Sequence, residues 1–266
     1  METAAKLARL KADLALLPGA LVCFSGGVDS SFLLAVAAEA LPGRTRALIA
    51  VSASMPEEEA AAALALADAL GVPTEVVESQ ELEDPRYVAN RGDRCYWCKS
   101  ELFRLARERA EGAPVLDGTN LDDLADHRPG HQAAKEAGVK SPLLEAGLGK
   151  AEIRQLSRER GLPTADKPSA PCLASRLPPG TEVTVERLAR VARAERAVRA
   201  LGFRSFRVRF HESVARLEID EAESGRLSDP ALRLALAREV KAAGFTFVAV
   251  DLEPLRSGRL NVLLRA

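Results

Sequence analysis

Phe24-Ser25-Gly26-Gly27-Val28-Asp29-Ser30-Ser31 lies between the compact apolar run Ala20-Leu21-Val22-Cys23-Phe24 and a helical stretch from Ser30 to Ala40 that Leu41-Pro42-Gly43 ends. Read outward, it is a buried strand, a tight turn and a helix. Adjacent glycines permit positive φ and let the backbone approach a ligand closely. Successive N–H groups in such a turn, with the first turn of the following helix, form a pocket for anionic oxygens. The helix end contributes about 0.3–1 kcal/mol per exposed anion, and up to about 2 kcal/mol when sheltered. The hydroxyls of Ser25, Ser30 and Ser31 add uncharged donors, and Val28 belongs to the same nucleotide-binding string. Asp29 repels a bare phosphate, so it reads as a Mg²⁺ contact or a cap on backbone amides. A lone Gly-Gly turn with a serine cap is a common loop. The full six-residue string after a strand and before a helix favours a nucleotide. The Walker form Gly-x-x-x-x-Gly-Lys-Ser/Thr does not fit, because its lysine is absent.

The surrounding chain repeats the alternation. A helix is expected over 4–17, a second strand over Arg46–Ser52 and an Ala-rich helix over Pro56–Leu70. Thr74–Glu78 is a third strand, Leu102–Ala110 a helix, Pro114–Asp117 a fourth strand and His131–Ala137 a short helix. Strands alternating with helices predict a parallel sheet covered on both faces, an α/β fold. Breakers cluster at Lys167-Pro168-Ser169-Ala170-Pro171 and Pro178-Pro179-Gly180. Beyond them come a helix over Glu182–Leu201, strands at Ser205–Phe210 and Val214–Ile219, a helix over Asp229–Ala243 and a strand at Thr246–Val250. This predicts two domains, 1–168 and a smaller α+β unit at 169–266, with an antiparallel sheet in the second.

The chain has 266 residues, enough for a sizeable core. Its formal net charge of -1 points away from nucleic acid and anionic membranes as partners. The N-terminus shows no signal-peptide pattern, and no segment is apolar for long enough to span a bilayer. A reducing, cytoplasmic setting is expected, where clustered cysteines more often bind metal or do chemistry than form disulfides.

Of the four cysteines, Cys23 sits in the first strand and reads as a small buried hydrophobe. Arg94-Cys95-Tyr96-Trp97-Cys98-Lys99 holds a Cys-x-x-Cys pair, which is half a metal site. Cys172, in Ala170-Pro171-Cys172-Leu173-Ala174-Ser175-Arg176, is the third candidate. Three readings stay open on residues alone. The three thiolates could hold a 4Fe–4S cluster with one iron open. A structural zinc would need a fourth ligand from His127, His131 or His211. Cys95 and Cys98 could instead be a redox pair with Cys172 as a lone nucleophile. On a strand, Arg207 and Arg209 of Phe206-Arg207-Val208-Arg209-Phe210-His211 share one face and could clamp a phosphate or carboxylate, with Arg176 as a further contact. Taken alone, two solvated arginines on an edge strand is the plainer reading of that pair.

Together these motifs resemble the LarE family of PP-loop sulfurtransferases. The resemblance runs through Ser25-Gly26-Gly27-Val28-Asp29-Ser30, Arg94-Cys95-Tyr96-Trp97-Cys98-Lys99, Asp166-Lys167-Pro168 and Cys172-Leu173-Ala174-Ser175-Arg176. It ends on Asp251-Leu252-Glu253 before Arg256-Ser257-Gly258. It implies an adenine nucleotide alpha hydrolase-like fold and an enzyme that uses ATP and Mg²⁺. That enzyme adenylates a carboxylate of a pyridinium biscarboxylate mononucleotide, then replaces AMP with sulfur during nickel-pincer cofactor assembly. It further implies that Ser52, Gly118 and Asn120 lie near the adenosine, and that Arg207 and Arg209 take the substrate phosphate. Cys172, Ser175, Glu195 and Glu218 become candidates for sulfur insertion. Family members use either one sacrificial cysteine at the position of Cys172 or a 4Fe–4S cluster carrying an extra sulfide. Cys95 and Cys98 match the cluster form, which requires an outside sulfide donor. A homo-oligomer is also implied. The rivals are a PP-loop tRNA thiolation enzyme, for which the Arg-rich stretch Glu186–Arg199 is the best argument, a non-catalytic nucleotide- or cluster-binding module, and an ammonia-using amidating ligase.

Overall fold

The computed structural model describes residues 2–125, 129–168, 171–256 and 259–264. The chain divides into two compact units, Met1–Asp84 with Asp93–Ala170, and Pro85–Gly92 with Pro171–Ala266. In chain order the elements are α1 (Thr3–Ala15), β1 (Ala20–Cys23), α2 (Val28–Ala40), β2 (Thr45–Val51), α3 (Glu57–Ala69) and β3 (Thr74–Glu78). They continue with the one-turn α4 (Pro85–Val88), α5 (Arg94–Arg109), β4 (Val115–Leu116), α6 (Pro129–Glu136), α7 (Pro142–Glu145) and α8 (Lys150–Glu159). The remainder is α9 (Val185–Ala200), β5 (Phe206–His211), β6 (Val214–Ile219), α10 (Glu221–Ser224), α11 (Pro230–Ala242) and β7 (Phe247–Val250).

The first unit is built on a parallel sheet in the order β3-β2-β1-β4. Successive strand side chains point to opposite faces, and the cores follow that rule. Ala20 and Val22 of β1, with Ala47 and Ile49 of β2, join the core that holds residues of α1, α2, α3 and α8. Leu21, Cys23 and Leu48 point the other way, into a core with Phe103, Leu105 and Ala106 of α5 and Ala133 and Ala134 of α6. Both faces are therefore covered, as expected of an α/β parallel sheet. Helix α2 is the best buried: Phe32, Leu33, Leu34, Val36 and Ala37 have no exposed surface. Each large apolar side chain so buried contributes about 1.5–3 kcal/mol, which fixes the position of the loop that feeds the helix.

Two helices differ from the sequence-level expectation. Helix α5 begins at Arg94 rather than Leu102, so Cys95 and Cys98 lie within its first two turns. Helix α8 is unanticipated. Its buried face is only Ile153, Leu156 and Ser157, too thin a stripe to stand out between Gly147-Leu148-Gly149 and Gly161. Its N-terminal signal is Glu152, whose Oε2 accepts the Gly149 N–H at 3.0 Å. No helix among the described residues is long and apolar enough to cross a membrane.

The second unit has a sheet in the order β5-β6-β7, with α9 and α11 packed on one another. The expected antiparallel sheet is corrected to a mixed one. β5 and β6 form an antiparallel hairpin, but β6 and β7 run parallel. The cause is topological: α11 intervenes, and a helical crossover returns the chain in the same direction. Pro85–Gly92, assigned from sequence to the first domain, belongs to this unit. Asn90 Nδ2 donates to Pro178 O at 2.8 Å and Thr181 O at 3.0 Å, and Gly180 N donates to Asn90 O at 2.8 Å. Asn90 has φ 51°, a left-handed conformation that asparagine tolerates better than most residues. Asn90→Ala removes two donors from half-buried carbonyls and is expected to cost about 2 kcal/mol in urea unfolding. A change within about 0.5 kcal/mol would show that the clasp carries no weight.

Candidate active site

Four strands bring their carboxyl ends to one edge of the first unit, where open parallel sheets bind ligands. The loop after β1 is the centre. Gly26 has φ +68°, and a Cβ there would lie 2.7 Å from Ala63 Cβ on α3. No larger residue fits. Ser30 knits the turn: its Oγ lies 3.0 Å from Ser25 Oγ, accepts Ser25 N–H at 3.3 Å and reaches Gly27 O at 3.4 Å. Gly118, just after β4, backs onto the same helix start, and a Cβ there would meet Ser30 N at 2.9 Å. The first turn of α2, with its unpaired-by-geometry N–H groups, thus sits between two glycine contacts. Ser31 is fully buried, with no hydrogen-bond partner for its Oγ.

Asp29 and two lysines that sequence reading left out of the site meet at this loop. The Asp29 carboxylate accepts from Lys150 Nζ through Oδ2, while Oδ1 is buried and has no hydrogen-bond partner among the described residues. Burial raises the Asp29 pKa above the usual carboxylate range, against the opposing pull of Lys150. Lys150 is the first residue of α8. On the other side of the loop, Lys167 Nζ donates to Gly26 O at 2.9 Å and pairs with Glu59 Oε2 at 2.5 Å. Arg154 of α8 holds the Lys167 turn through Ala165 O at 2.6 Å and Lys167 O at 2.8 Å. The orphaned Asp29 Oδ1 fits a Mg²⁺ ion, which usually takes one or two carboxylates together with substrate phosphates and water.

The neighbouring strand ends carry ordered polar groups. Ser52 Oγ and Ser54 Oγ both reach Glu81 Oε1, at 2.7 and 2.6 Å. Glu81 is buried and had no sequence signal. Asp117 accepts from Thr119 Oγ1 at 2.8 Å and Ser141 Oγ at 2.7 Å, which fixes the turn containing Gly118. Asn120 Oδ1 accepts Asp122 N–H at 2.9 Å.

Burial pushes the Cys23 thiol up to about 12, so it stays protonated and inert, as its strand position implies. Cys95 is exposed and Cys98 half-buried. Their i, i+3 spacing on α5 puts both thiols on one helix face, which suits two ligands of one cluster. Among the described residues no group of three His, Cys, Asp or Glu side chains gathers to hold a metal ion. Of the histidines weighed as zinc ligands, His211 Nε2 accepts from Arg216 Nε at 3.1 Å. His127 lies outside the described residues, as do Ser169, Ala170, Ser257 and Gly258.

In the second unit Cys172 precedes a 3₁₀ turn, Leu173–Arg176. Behind it is a buried set of charges. Arg176 binds Glu195 with two hydrogen bonds, at 2.7 and 3.0 Å, and donates to Pro171 O at 2.6 Å and Ser175 Oγ at 3.0 Å. Glu195 Oε1 also accepts Val208 N–H at 3.1 Å. Arg209 donates to Glu218 Oε2 at 2.9 Å and to Ser175 O at 2.8 Å. Glu218 is fully buried; Arg216 Nη2 lies 3.3 Å from its Oε1, without hydrogen-bond geometry. Arg207 and Arg209 are thus not solvated edge-strand arginines, since both are buried. Arg176 is occupied by Glu195 and by the Cys172 loop, so it shapes that loop. Arg207 differs. Its one hydrogen bond among the described residues is to Arg256 O at 3.4 Å. Burial, then Arg209 and Arg176, lower its pKa to about 10. It is the guanidinium best placed to take an anion.

This fold and loop define a PP-loop ATP-using enzyme, and the asparagine synthase family model matches residues 13–135. The chain is 37% identical over 263 residues to pyridinium-3,5-bisthiocarboxylic acid mononucleotide synthase of Lactiplantibacillus plantarum, covering 97% of this chain and 94% of that one. It is 43% identical over 262 residues to the uncharacterized protein slr1717 of Synechocystis sp., covering 97% and 98%. It is 26% identical over 240 residues to the uncharacterized protein MJ0830 of Methanocaldococcus jannaschii, covering 89% and 90%. The chain belongs to the LarE family, and is an ATP-dependent sulfurtransferase.

Removing one partner of a buried ion pair costs about 3–5 kcal/mol. Glu195→Ala is expected to lose that much in denaturant unfolding, and the double variant Arg176→Met/Glu195→Leu to recover more than half of it. Wild-type stability in Glu195→Ala would contradict the pairing.

Proposed function

We propose that this enzyme converts a carboxylate of pyridinium-3,5-biscarboxylate mononucleotide into a thiocarboxylate, releasing AMP and pyrophosphate. One observation carries the reading: a PP-loop held open by Gly26 against Ala63 lies in a chain that aligns end to end with a bisthiocarboxylic acid mononucleotide synthase.

A carboxylate is a poor electrophile, so its oxygen must first be made a leaving group. The loop amides and the Ser25 and Ser30 hydroxyls hold the triphosphate; Asp29 would hold a Mg²⁺ ion, which would neutralise phosphate charge. Ser52, Gly118 and Asn120 flank the nucleoside. A substrate carboxylate oxygen attacks the α-phosphorus; the bond to the β-phosphate oxygen breaks, and its electron pair leaves with pyrophosphate. Positioning and charge neutralisation supply most of the acceleration. Arg207, with no carboxylate hydrogen-bonded to it among the described residues, takes the substrate phosphate, with Arg209 beside it. Cys95, Cys98 and Cys172 would hold a 4Fe–4S cluster, which would supply a renewable sulfide. Sulfide from the outside donor forms a bond to the acyl carbon while the carbon–oxygen bond to AMP breaks, its electron pair leaving with AMP. Arg176 and Glu195 keep the Cys172 turn in shape; Ser175 serves sulfur insertion, and Glu218 acts from behind it by holding Arg209, which bonds to Ser175 O. The exposed Phe247, Val250 and Leu252 support self-association into a homo-oligomer.

Anaerobic reconstitution with iron and sulfide, followed by turnover with ATP, substrate and excess sulfide, tests the reading. Many thiocarboxylates per chain are expected with the protein mass unchanged, and iron loading is lost in both Cys95→Ala and Cys172→Ala. Stoichiometric loss of one sulfur from Cys172 would overturn the cluster route, and absence of AMP would overturn the whole scheme.

A further inference from the structure

Glu81 is a buried carboxylate, and among the described residues no cation is hydrogen-bonded to it. Burying a carboxylate is costly unless it is paired or well hydrogen-bonded, and an apolar residue would avoid that cost. Its place in the fold suggests what it does. Ser52 follows the last residue of β2, and Glu81 opens the 3₁₀ turn after β3. The two strands pair in register, Val51 opposite Glu78, so both groups stand at the carboxyl edge of the sheet. β2 is also the neighbour of β1, whose end carries the glycine loop.

A serine hydroxyl carries one hydrogen and two acceptor positions, whereas a carboxylate only accepts. Ser52 Oγ donates to Glu81 Oε1 at 2.7 Å and Ser54 Oγ donates to the same oxygen at 2.6 Å. Contacts this short to an oxygen that only accepts use both hydroxyl hydrogens. Ser54 is buried and Ser52 half-buried, so the oxygen open to a ligand is that of Ser52. One of its acceptor positions already takes the Ser54 N–H at 3.2 Å. What Ser52 Oγ turns outward is therefore a lone pair and no hydrogen. Without Glu81 the same hydroxyl could rotate and donate.

We propose that Glu81 is a positioning residue that fixes the polarity of Ser52, so that the nucleoside pocket selects a 6-aminopurine over a 6-oxopurine. The inference rests on the nucleotide reading above, in which Ser52 flanks the nucleoside, and deepens it. A ribose hydroxyl can donate or accept, so a polarity set in advance discriminates nothing there. The purine edge does have a polarity: the 6-amino group donates and the 6-oxo group accepts. Against a fixed lone pair, the amino group gains a hydrogen bond. The oxo group meets a second acceptor and is left without a partner, which is the larger effect. Glu81 acts through Ser52 and does not touch the base.

Calorimetric titration of the full chain with AMP and with IMP, which differ in the purine ring alone, tests this without any turnover. A buried polar group facing the wrong polarity costs on the order of 10–100-fold in affinity, so the wild type is expected to prefer AMP by that factor. Ser52→Ala removes the outward oxygen and is expected to bring the preference to within about threefold. Glu81→Leu frees the Ser52 hydroxyl to donate and is expected to bind IMP more tightly than the wild type does, a gain that a merely loosened pocket would not give. Equal losses of AMP and IMP in both variants would assign Glu81 a purely structural role and overturn the proposal. So would an undiminished preference in Ser52→Ala, which keeps the Ser54–Glu81 bond and carries the test if Glu81→Leu does not fold. A wild type that bound AMP with no preference over IMP would overturn this proposal alone. A wild type that did not bind AMP would overturn the nucleotide reading beneath it as well.

Discussion

The contact between Gly26 and Ala63 is the constraint on which the first unit is organised. A side chain at position 26 would place its Cβ within 2.7 Å of another carbon, well inside van der Waals contact. The turn can lie this close to α3 only as glycine, and its φ of +68° makes the same demand. Gly118 repeats the device from the other side, against the backbone of Ser30. With α2 locked by a fully buried apolar face, the start of that helix becomes a fixed electrostatic feature. Preorganised donors of this kind need no rearrangement when charge develops on a phosphate, which is why they accelerate reactions.

Charge is handled differently in the two units. Around the loop it is sparse and shared: Asp29 pairs with Lys150 at the start of α8, and Glu59 with Lys167. In the second unit it is dense and mostly consumed by internal pairing, with Arg176 on Glu195 and Arg209 on Glu218. Such buried pairs give little net stability because desolvation offsets attraction. Their effect is geometric. Arg176 and Arg209 both bond to the Pro171–Ser175 stretch, so the backbone around Cys172 is held by two guanidiniums. Arg207 is the remainder of this balance, a buried cation with no carboxylate hydrogen-bonded to it among the described residues.

The local parts of this architecture were legible in the sequence. Thr74–Glu78 and Val214–Ile219 form strands with the expected bounds, and the glycine loop could be placed between β1 and α2 from its composition alone. The parallel sheet followed from strands alternating with helices. What the sequence hid was non-local. Lys150 and Asp29 are 121 residues apart, and no pattern within either segment points to the other. Glu81 reads as one acid among several in Glu78-Ser79-Gln80-Glu81-Leu82-Glu83, yet it alone is buried beneath Ser52 and Ser54. Helix α8 was missed because ten residues with two apolar side chains facing inward give little periodic signal. The sequence offered Arg176 as a further anion contact beside Cys172, but only coordinates show its donors used by Glu195, which approaches from α9.

The central claim is that the substrate's own carboxylate attacks the α-phosphorus, so that sulfur displaces a nucleotide rather than water or phosphate. Oxygen tracing tests it most directly. With the pyridinium biscarboxylate labelled with ¹⁸O in its carboxylates, and with ATP and sulfide supplied, the account predicts one labelled oxygen in each AMP released, as read by mass spectrometry. Unlabelled AMP, or label found in inorganic phosphate instead, would contradict it.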